Sequence, residues 1–328
     1  MLALARAAGA GVTTLPPQEG HLAERLGRSA DAMARAPARP GGEDYVFVVE
    51  DPRGALVGTS AVAARVGGFD PFFTYELRAE RVAHPPLGVD RTIEVLHLRR
   101  EHKGPSELHG LVVDPARRGQ GLGRLASLGR LAFVAAHPAR FAEQTIAEIR
   151  GYVDAGGRSP FWDAVGRVFF APADFAEADL LTGLGEKDFV TDLMPRHPIY
   201  LDLLPAAVRD AIGRPHAAAV PAMRLLEAEG FAPAREVDIF DAGPILECAT
   251  AAIRSVRDAR ALRVGRVGDL SGPGTTAIVA VPEPARFRAV RCRVAGGGSG
   301  AVTLGRDAAA RLGAEPGQEV LVTEGPRD

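Results

Sequence analysis

The chain has 328 residues, more than one typical compact unit needs. Its 39 Lys and Arg against 41 Asp and Glu leave a net charge of -2, which offers no bulk attraction to nucleic acid or anionic lipid, so neither partner is expected. Cys248 and Cys292 stand far apart without paired spacing, which speaks against a disulfide framework or a cysteine metal site and fits a reducing compartment.

The opening "MLALARAAGAG" lacks an apolar core segment with a cleavage site, and no stretch reaches the roughly 20 apolar residues of a membrane span, so a cytoplasmic protein is expected. "GAGVTTLP" reads as a loop. "HLAERLGRSADAMARA" has helical apolar spacing and ends at "PARPGGED". "YVFVVED" and "ALVGTSAVAARVG", separated by "PRG", predict a hairpin. An aromatic loop, "FDPFFTYEL", precedes two further strands, "TIEVLHLRR" and "SELHGLVVDP". The apolar period then becomes helical over "LGRLASLGRLAFVAAH", closed by Pro138. "QTIAEIRGYVD" predicts another strand. Residues 155–248 predict two or three helices and one late strand, "REVDIFDAG". Ser159 caps a helix that Pro160 begins, and "SPFW" forms a hydrophobic plug. Short strands past residue 265 predict a small β module, with "AGGGSG" as a hairpin loop. The expected fold class is α+β, a mainly antiparallel sheet with flanking helices, divided as residues 1–264 and 265–328.

The junction "RRGQGLGR", residues 117–124, carries the chemistry. Glycines at the first turn of a helix expose backbone N–H groups where the helix dipole places partial positive charge, which suits a phosphate. The stretch matches neither G-x-x-x-x-G-K-[ST] nor G-x-G-x-x-G, since residue 124 is Arg. It does match [QR]-x-x-G-x-[GA] through Arg118, Gly121 and Gly123, and so resembles the pyrophosphate loop of the GCN5-related N-acyltransferases. That resemblance implies coenzyme A phosphates on the amides of residues 119–124, including Gly119, with Arg117, Arg118 and Arg124 adding charge-assisted contacts. The pantetheine arm would pair with the preceding strand.

Longer stretches narrow this further. "GVTTLP", "YVFVVED", "FDPFFTYEL", "SELHGLVVDPARRGQGLGRLAS", "AEIRGYVDAGGRSPFWDAVGRVFF", "LMPRHPIY" and "EVDIFDAGPILEC" together resemble the arginine N-succinyltransferases of bacterial arginine catabolism. The resemblance implies transfer of succinyl from succinyl-CoA to the α-amine of L-arginine, with succinyl-CoA as co-substrate rather than a resident cofactor, and no metal. It assigns the proton donor to His216 and makes Leu111 a main-chain contact to succinyl-CoA. The family ordinarily begins with a further strand before "GVTTLP", so an edge strand is expected to be missing. Past residue 265 the match to the family's β tail is looser.

The residues themselves suggest an acceptor site. Asp238, Asp241 and Glu247 can supply charge for a guanidinium, and Arg150 and Arg158 can hold a carboxylate. Strand alternation makes His109 structural, His197 fixes a turn, and nothing near Cys248 would activate it as a nucleophile. A homodimer or an oligomer of related subunits is expected. Two other readings stay open: the same chemistry on ornithine or another amine, and a non-catalytic acyl-CoA-binding partner subunit.

Overall fold

The structure is a computed structural model that describes residues 1–8, 15–185, 187–270, 274–298 and 300–324. Most of the expected loop "GAGVTTLP", at residues 9–14, lies outside the described residues, as does Ser299 of "AGGGSG".

Strands β1 (Asp44–Glu50) and β2 (Leu56–Ala63) form the expected hairpin. The turn between them is set by Asp51, whose Oδ1 accepts the N–H groups of Arg53 and Ala55 at 2.8 and 3.0 Å. Next come β3 (Gly67–His84) and β4 (Val89–Lys103), paired from Gly67↔Lys103 to His84↔Val89 as one long ribbon. The stretch expected to be an aromatic loop is therefore strand. Alternate residues Phe73 and Tyr75 are buried, which is the period-two pattern of a strand packed on a core.

Strand β5 (Ser106–Val113) leads into α3 (Leu122–Ala136), preceded by α1 (Leu2–Ala8) and α2 (Glu19–Ala34). Strand β6 (Gln144–Glu148) is shorter than expected and ends at Glu148. Among its described residues the following stretch contains five short helices rather than two or three: α4 (Arg167–Phe170), α5 (Phe175–Gly183), α6 (Asp188–Leu193), α7 (Ala206–Arg209) and α8 (Val220–Ala228). Pro172, Pro195 and Pro205 fall between them, and proline interrupts helical hydrogen bonding. A π-helical turn over Trp162–Gly166 precedes α4, with Ser159 Oγ accepting the Trp162 N–H at 3.2 Å. Phe161 and Trp162 are buried in a core with Phe170 and Phe240. A two-residue strand, β7 (Ile199–Tyr200), pairs with β4.

The expected late strand "REVDIFDAG" is only partly strand. Strand β8 (Ala232–Val237) stops before Asp238, whose Oδ1 accepts the N–H groups of Phe240 and Asp241 at 2.7 and 2.8 Å and turns the chain. Strand β9 (Pro244–Ala249), not foreseen as a separate element, returns antiparallel to β8.

These strands form one sheet in the order β1-β2-β5-β6-β9-β8-β3-β4-β7. Among the described residues its only parallel junction is β5 with β6, in register at Ser106↔Thr145 and Glu107↔Ile146. Beyond those two pairs the strands part, and the sheet is split into two blades joined at that end. Helix α3 packs on one side through Leu128, Leu131, Phe133 and Val134, in a core shared with Tyr45, Val62 and Leu246.

After α9 (Arg254–Arg257), strands β10 (Arg260–Val267), β11 (Thr275–Val281), β12 (Arg288–Gly296), β13 (Ala301–Leu304) and β14 (Glu319–Glu324) close into a barrel ordered β10-β13-β12-β11-β14, with α10 (Arg306–Leu312) alongside. Strand β10 belongs to this barrel, so the boundary expected at 264/265 falls inside a strand. The barrel has its own core around Val264, Val279, Leu304 and Val320, while its outer residues Ile278 and Ala280 join the main core beside α3. No helix among the described residues is long and apolar enough to cross a membrane.

Candidate active site

The junction from β5 to α3 takes its shape from two glycines and an aspartate. Asp114 Oδ1 accepts the Ala116 N–H at 2.9 Å and tightens the bend after β5. Gly119 and Gly121 then adopt φ of 79° and 77°, a left-handed conformation costly for any residue with a Cβ. Gly121 is the N-cap of α3 and no side chain caps the helix, so its first-turn N–H groups stay available. Gly123 is less constrained, since a Cβ there would meet Val113 at an ordinary 3.9 Å.

This mouth opens into a cleft of about 1050 Å³ where β5 and β6 diverge. One wall is the free side of β5. Its register with β2 runs from Ala61↔His109 to Thr59↔Val112 and passes over Gly110 and Leu111, a bulge marked by φ 61° at Gly110. The buried Arg130 of α3 braces this bulge: its Nη1 donates to the carbonyls of His109 and Ala61 at 3.0 and 3.2 Å.

The opposite wall comes from the chain after β6 and the loop before α8. That loop is clipped down at three successive residues. Arg214 stacks 3.8 Å from the Tyr152 ring centre, Pro215 bridges Gly151, and the His216 N–H donates to the Arg150 carbonyl at 2.8 Å. The His216 ring is oriented as well, because Nδ1 accepts the Ala218 N–H at 3.0 Å. The neutral ring therefore carries its proton on Nε2. Burial, and then the charge of Arg150, lower the His216 pKa below its ordinary value, so the neutral form is favoured.

The floor is acidic. Glu107, Glu148, Asp238 and Asp241 all line the cleft. Burial is the main cause that raises Glu148 well above the ordinary carboxyl range, followed by the charges of Glu107, Asp238 and Asp241, with Lys187 opposing. Asp241 is pushed up to about 8 by burial and then by Asp238, against the N–H groups of Gly151 and Gly243, which donate to its two oxygens at 2.7 and 2.8 Å. Burial also raises Asp238. Glu148, Asp238 and Asp241 cannot all ionise cheaply in this setting, and an incoming cation would relieve them. Among the described residues no group of three His, Cys, Asp or Glu has an arrangement that could hold a metal ion.

Of the residues singled out from sequence, Leu111, Arg117, Arg118, Gly119, Gly123, Arg124, Arg150, His216, Asp238 and Asp241 line this one cleft, and Gly121 caps the helix at its mouth. Arg158 and Glu247 do not. Arg158 is exposed and pairs with Asp154 at 3.3 Å within its own turn, and Glu247 lies on the exposed face of β9 because its neighbours Leu246 and Cys248 take the buried positions. His109 is tied to Asp44 at 3.0 Å beside Arg25, and His197 is exposed outside the cleft. Burial and the charge of Glu229 raise the Cys248 thiol, which keeps it protonated. Glu107 and Glu148 were not foreseen. Their one signal in the sequence is a carboxylate on each of two apolar strands, at Glu107 of "SELHGLVV" and Glu148 of "QTIAE".

Comparison with known proteins gives the site a context. A family model described as arginine N-succinyltransferase beta subunit matches residues 1–255, and one for the C-terminal domain of that subunit matches residues 260–324. An arginine N-succinyltransferase of Yersinia enterocolitica is 40% identical over 293 residues, covering 88% of this chain and 84% of the relative. The arginine N-succinyltransferase subunit beta of Pseudomonas aeruginosa is 41% identical over 275 residues, covering 83% and 80%. Among solved structures, the arginine/ornithine succinyltransferase subunit AI of Pseudomonas aeruginosa superposes with a TM-score of 0.89 at 35% identity, over 98% of this chain and 94% of that one. A family match over well over half the chain, with relatives near 40% identity along most of its length, means that this chain belongs to the arginine N-succinyltransferase beta subunit family.

Proposed function

We propose that this chain is an arginine N-succinyltransferase, moving a succinyl group from succinyl-CoA to the α-amine of L-arginine to give N2-succinyl-L-arginine and CoA. The observation that carries the reading is the convergence, in one cleft, of an uncapped glycine mouth, a strand edge freed by the parting of β5 and β6, and an oriented histidine. The same parting supports a GCN5-related N-acyltransferase-like reading of the sheet. In this account the diphosphate rests on the amides of residues 119–124, with Arg117, Arg118 and Arg124 around it. The pantetheine arm runs along β5, where the bulge presents the backbone of Leu111 to the thioester.

The neutral α-amine attacks the thioester carbonyl, the C–N bond forms, and the C–S bond breaks as the tetrahedral intermediate collapses. The amine loses one proton and the sulfur gains one. His216 closes this balance by giving its Nε2 proton to the departing thiolate and taking up at Nδ1, by way of solvent, the proton that the amine releases, which frees the Ala218 N–H in that step. Arg150 holds a carboxylate, and the acidic floor of Glu107, Glu148, Asp238 and Asp241 receives the positive end of the acceptor. The subunit names of the relatives support an oligomer of related subunits, a homodimer remains the other assembly expected, and the composition supports a cytoplasmic location.

Thiol release from succinyl-CoA, compared with acetyl-CoA, tests the reading. Release with succinyl-CoA that depends on L-arginine is expected, and its absence would refute the assignment. Ornithine is the second acceptor to consider, because the solved neighbour is named for both amino acids. Competition between the two acceptors in one assay separates them. The non-catalytic alternative predicts CoA binding with no thiol release under any acceptor.

The position of Arg150 gives a pH prediction. Its charge is one of two causes that lower the His216 pKa. Removing a positive neighbour favours the protonated ring, so Arg150→Gln moves the acidic limb of the kcat profile to higher pH. Burial still acts, so the limb stays below that of an exposed histidine. A profile that keeps its wild-type acidic limb would show that the two side chains are not coupled.

A further inference from the structure

The C-terminal barrel is docked on α3 by a defined set of contacts. Phe287 meets Phe133 edge-on at 5.0 Å and Phe47 at 5.4 Å, and His137 Nε2 lies 2.6 Å from the Pro282 carbonyl. Gly129 is buried, and a Cβ there would lie 3.6 Å from the Ala289 methyl. Strand β12 is thereby held against the helix in a fixed register.

That register carries β12 toward the glycine mouth. From Gly129 to Gly121 the helix runs eight residues, about 12 Å at its usual rise. From Ala289 to Arg291 the strand advances two residues, about 6.6 Å. The remaining gap is the reach of an arginine side chain. A guanidinium nitrogen of Arg291 lies 3.7 Å from the point that a Cβ on Gly121 would occupy, and among the described residues it is the only heavy atom within 4 Å of that point apart from the adjoining chain. Arg291 itself is exposed.

A second observation points to an anion in the same cleft. Arg130, 2% exposed and lining the cleft, has an Nε with no hydrogen-bond partner among the described residues. Arg130 thus adds a buried guanidinium to the cleft beside Glu107, with Arg117, Arg118 and Arg124 also lining it.

We propose that the C-terminal barrel completes the acyl-CoA site, with Arg291 of β12 reaching across to the diphosphate seated on the first turn of α3. The proposal rests on the acyl-CoA reading of that mouth and goes beyond it by giving the barrel a binding role. A guanidinium suits this position because it offers paired donors to phosphate oxygens, and the glycine leaves room for both.

The test is the affinity of the full-length protein for CoA, measured by calorimetry for wild type, Arg291→Ala and Arg291→Lys, with succinyl-CoA kinetics alongside. A lost charge-assisted contact predicts about tenfold weaker CoA binding and a matching rise in the KM for succinyl-CoA. The kcat and the KM for arginine should hold, and lysine should restore part of the loss. Dephospho-CoA should show the same wild-type-to-alanine ratio, since it keeps the diphosphate. An alanine variant that binds CoA within twofold of wild type overturns the proposal while leaving the transferase reading intact. A ratio that collapses with dephospho-CoA moves the contact to the 3′-phosphate and overturns the diphosphate assignment. If wild type itself fails to bind CoA, this proposal and the acyl-CoA reading fall together.

Discussion

Replacing His216 with alanine is expected to lower kcat for succinyl transfer about 10²- to 10⁴-fold, the range for losing a positioned proton donor. Affinity for CoA should stay at the wild-type level. The substitution is conservative for the fold: the loop remains anchored by the residue 216 N–H on the Arg150 carbonyl, by the Gly151 and Pro215 bridge, and by Arg214 on Tyr152, none of which uses the imidazole. What alanine does remove is the acceptor for the Ala218 N–H. His216→Asn controls for this, because an asparagine oxygen can accept the same N–H as a helix cap but cannot titrate near neutrality. If the asparagine variant restores turnover, His216 acts as a cap and not as a proton carrier.

Gly243→Ala is expected to be the most damaging single methyl group in the acceptor region. A Cβ at this position would sit 2.1 Å from the Ile149 carbonyl oxygen, 2.7 Å from the Gly151 nitrogen and 2.8 Å from Asp241 Oδ1. Two of these are backbone atoms of the segment leaving β6, which cannot rotate aside. Relief requires the turn at residues 238–243 to move off that segment, breaking the bonds from Gly151 and Gly243 to Asp241. The expected cost is about 3 kcal/mol, the upper part of the usual range for overpacking. For a chain of this size that corresponds to a fall in Tm of roughly 4 to 5 °C. Gly20→Ala is the comparison, since a Cβ there meets nothing within 4 Å and should not lower Tm. Calorimetric melting of both variants checks the pair, and equal Tm values would show that the turn is loosely held.

The parts of the cleft that could be read in the sequence are those whose chemistry is local. Gly119, Gly121 and the flanking arginines form one continuous stretch, and a helix start needs nothing from elsewhere to expose its amides. His216 has no such local signature and was assigned through the family resemblance alone. Glu107 and Glu148 stayed hidden because each is a single acid in an apolar strand, and only the pairing of β5 with β6 brings them to the same floor. Arg158 and Glu247 show the converse. Both have suitable chemistry close to cleft residues, yet a local ion pair turns one away and strand alternation turns the other. The aromatic stretch before residue 77 was misread because Pro71, just after Gly67 and Gly68, resembles a loop signal, while its pairing with β4 over a long ribbon cannot be seen from composition. The strand at residues 244–249 was not foreseen because the expected strand was run through the tight turn made by Asp238, which has no glycine until Gly243.

The order of the sheet sets the timetable of folding. Strands β3 and β4 follow β2 directly in the chain, yet β3 bonds to β8, so Tyr75 meets Val237 only after some 160 further residues have been made. During synthesis the aromatic edge that β8 will cover has no partner, and closing so long a loop is slow. A nascent chain halted before residue 232 should therefore depend on a chaperone, whereas one released after β9 should not.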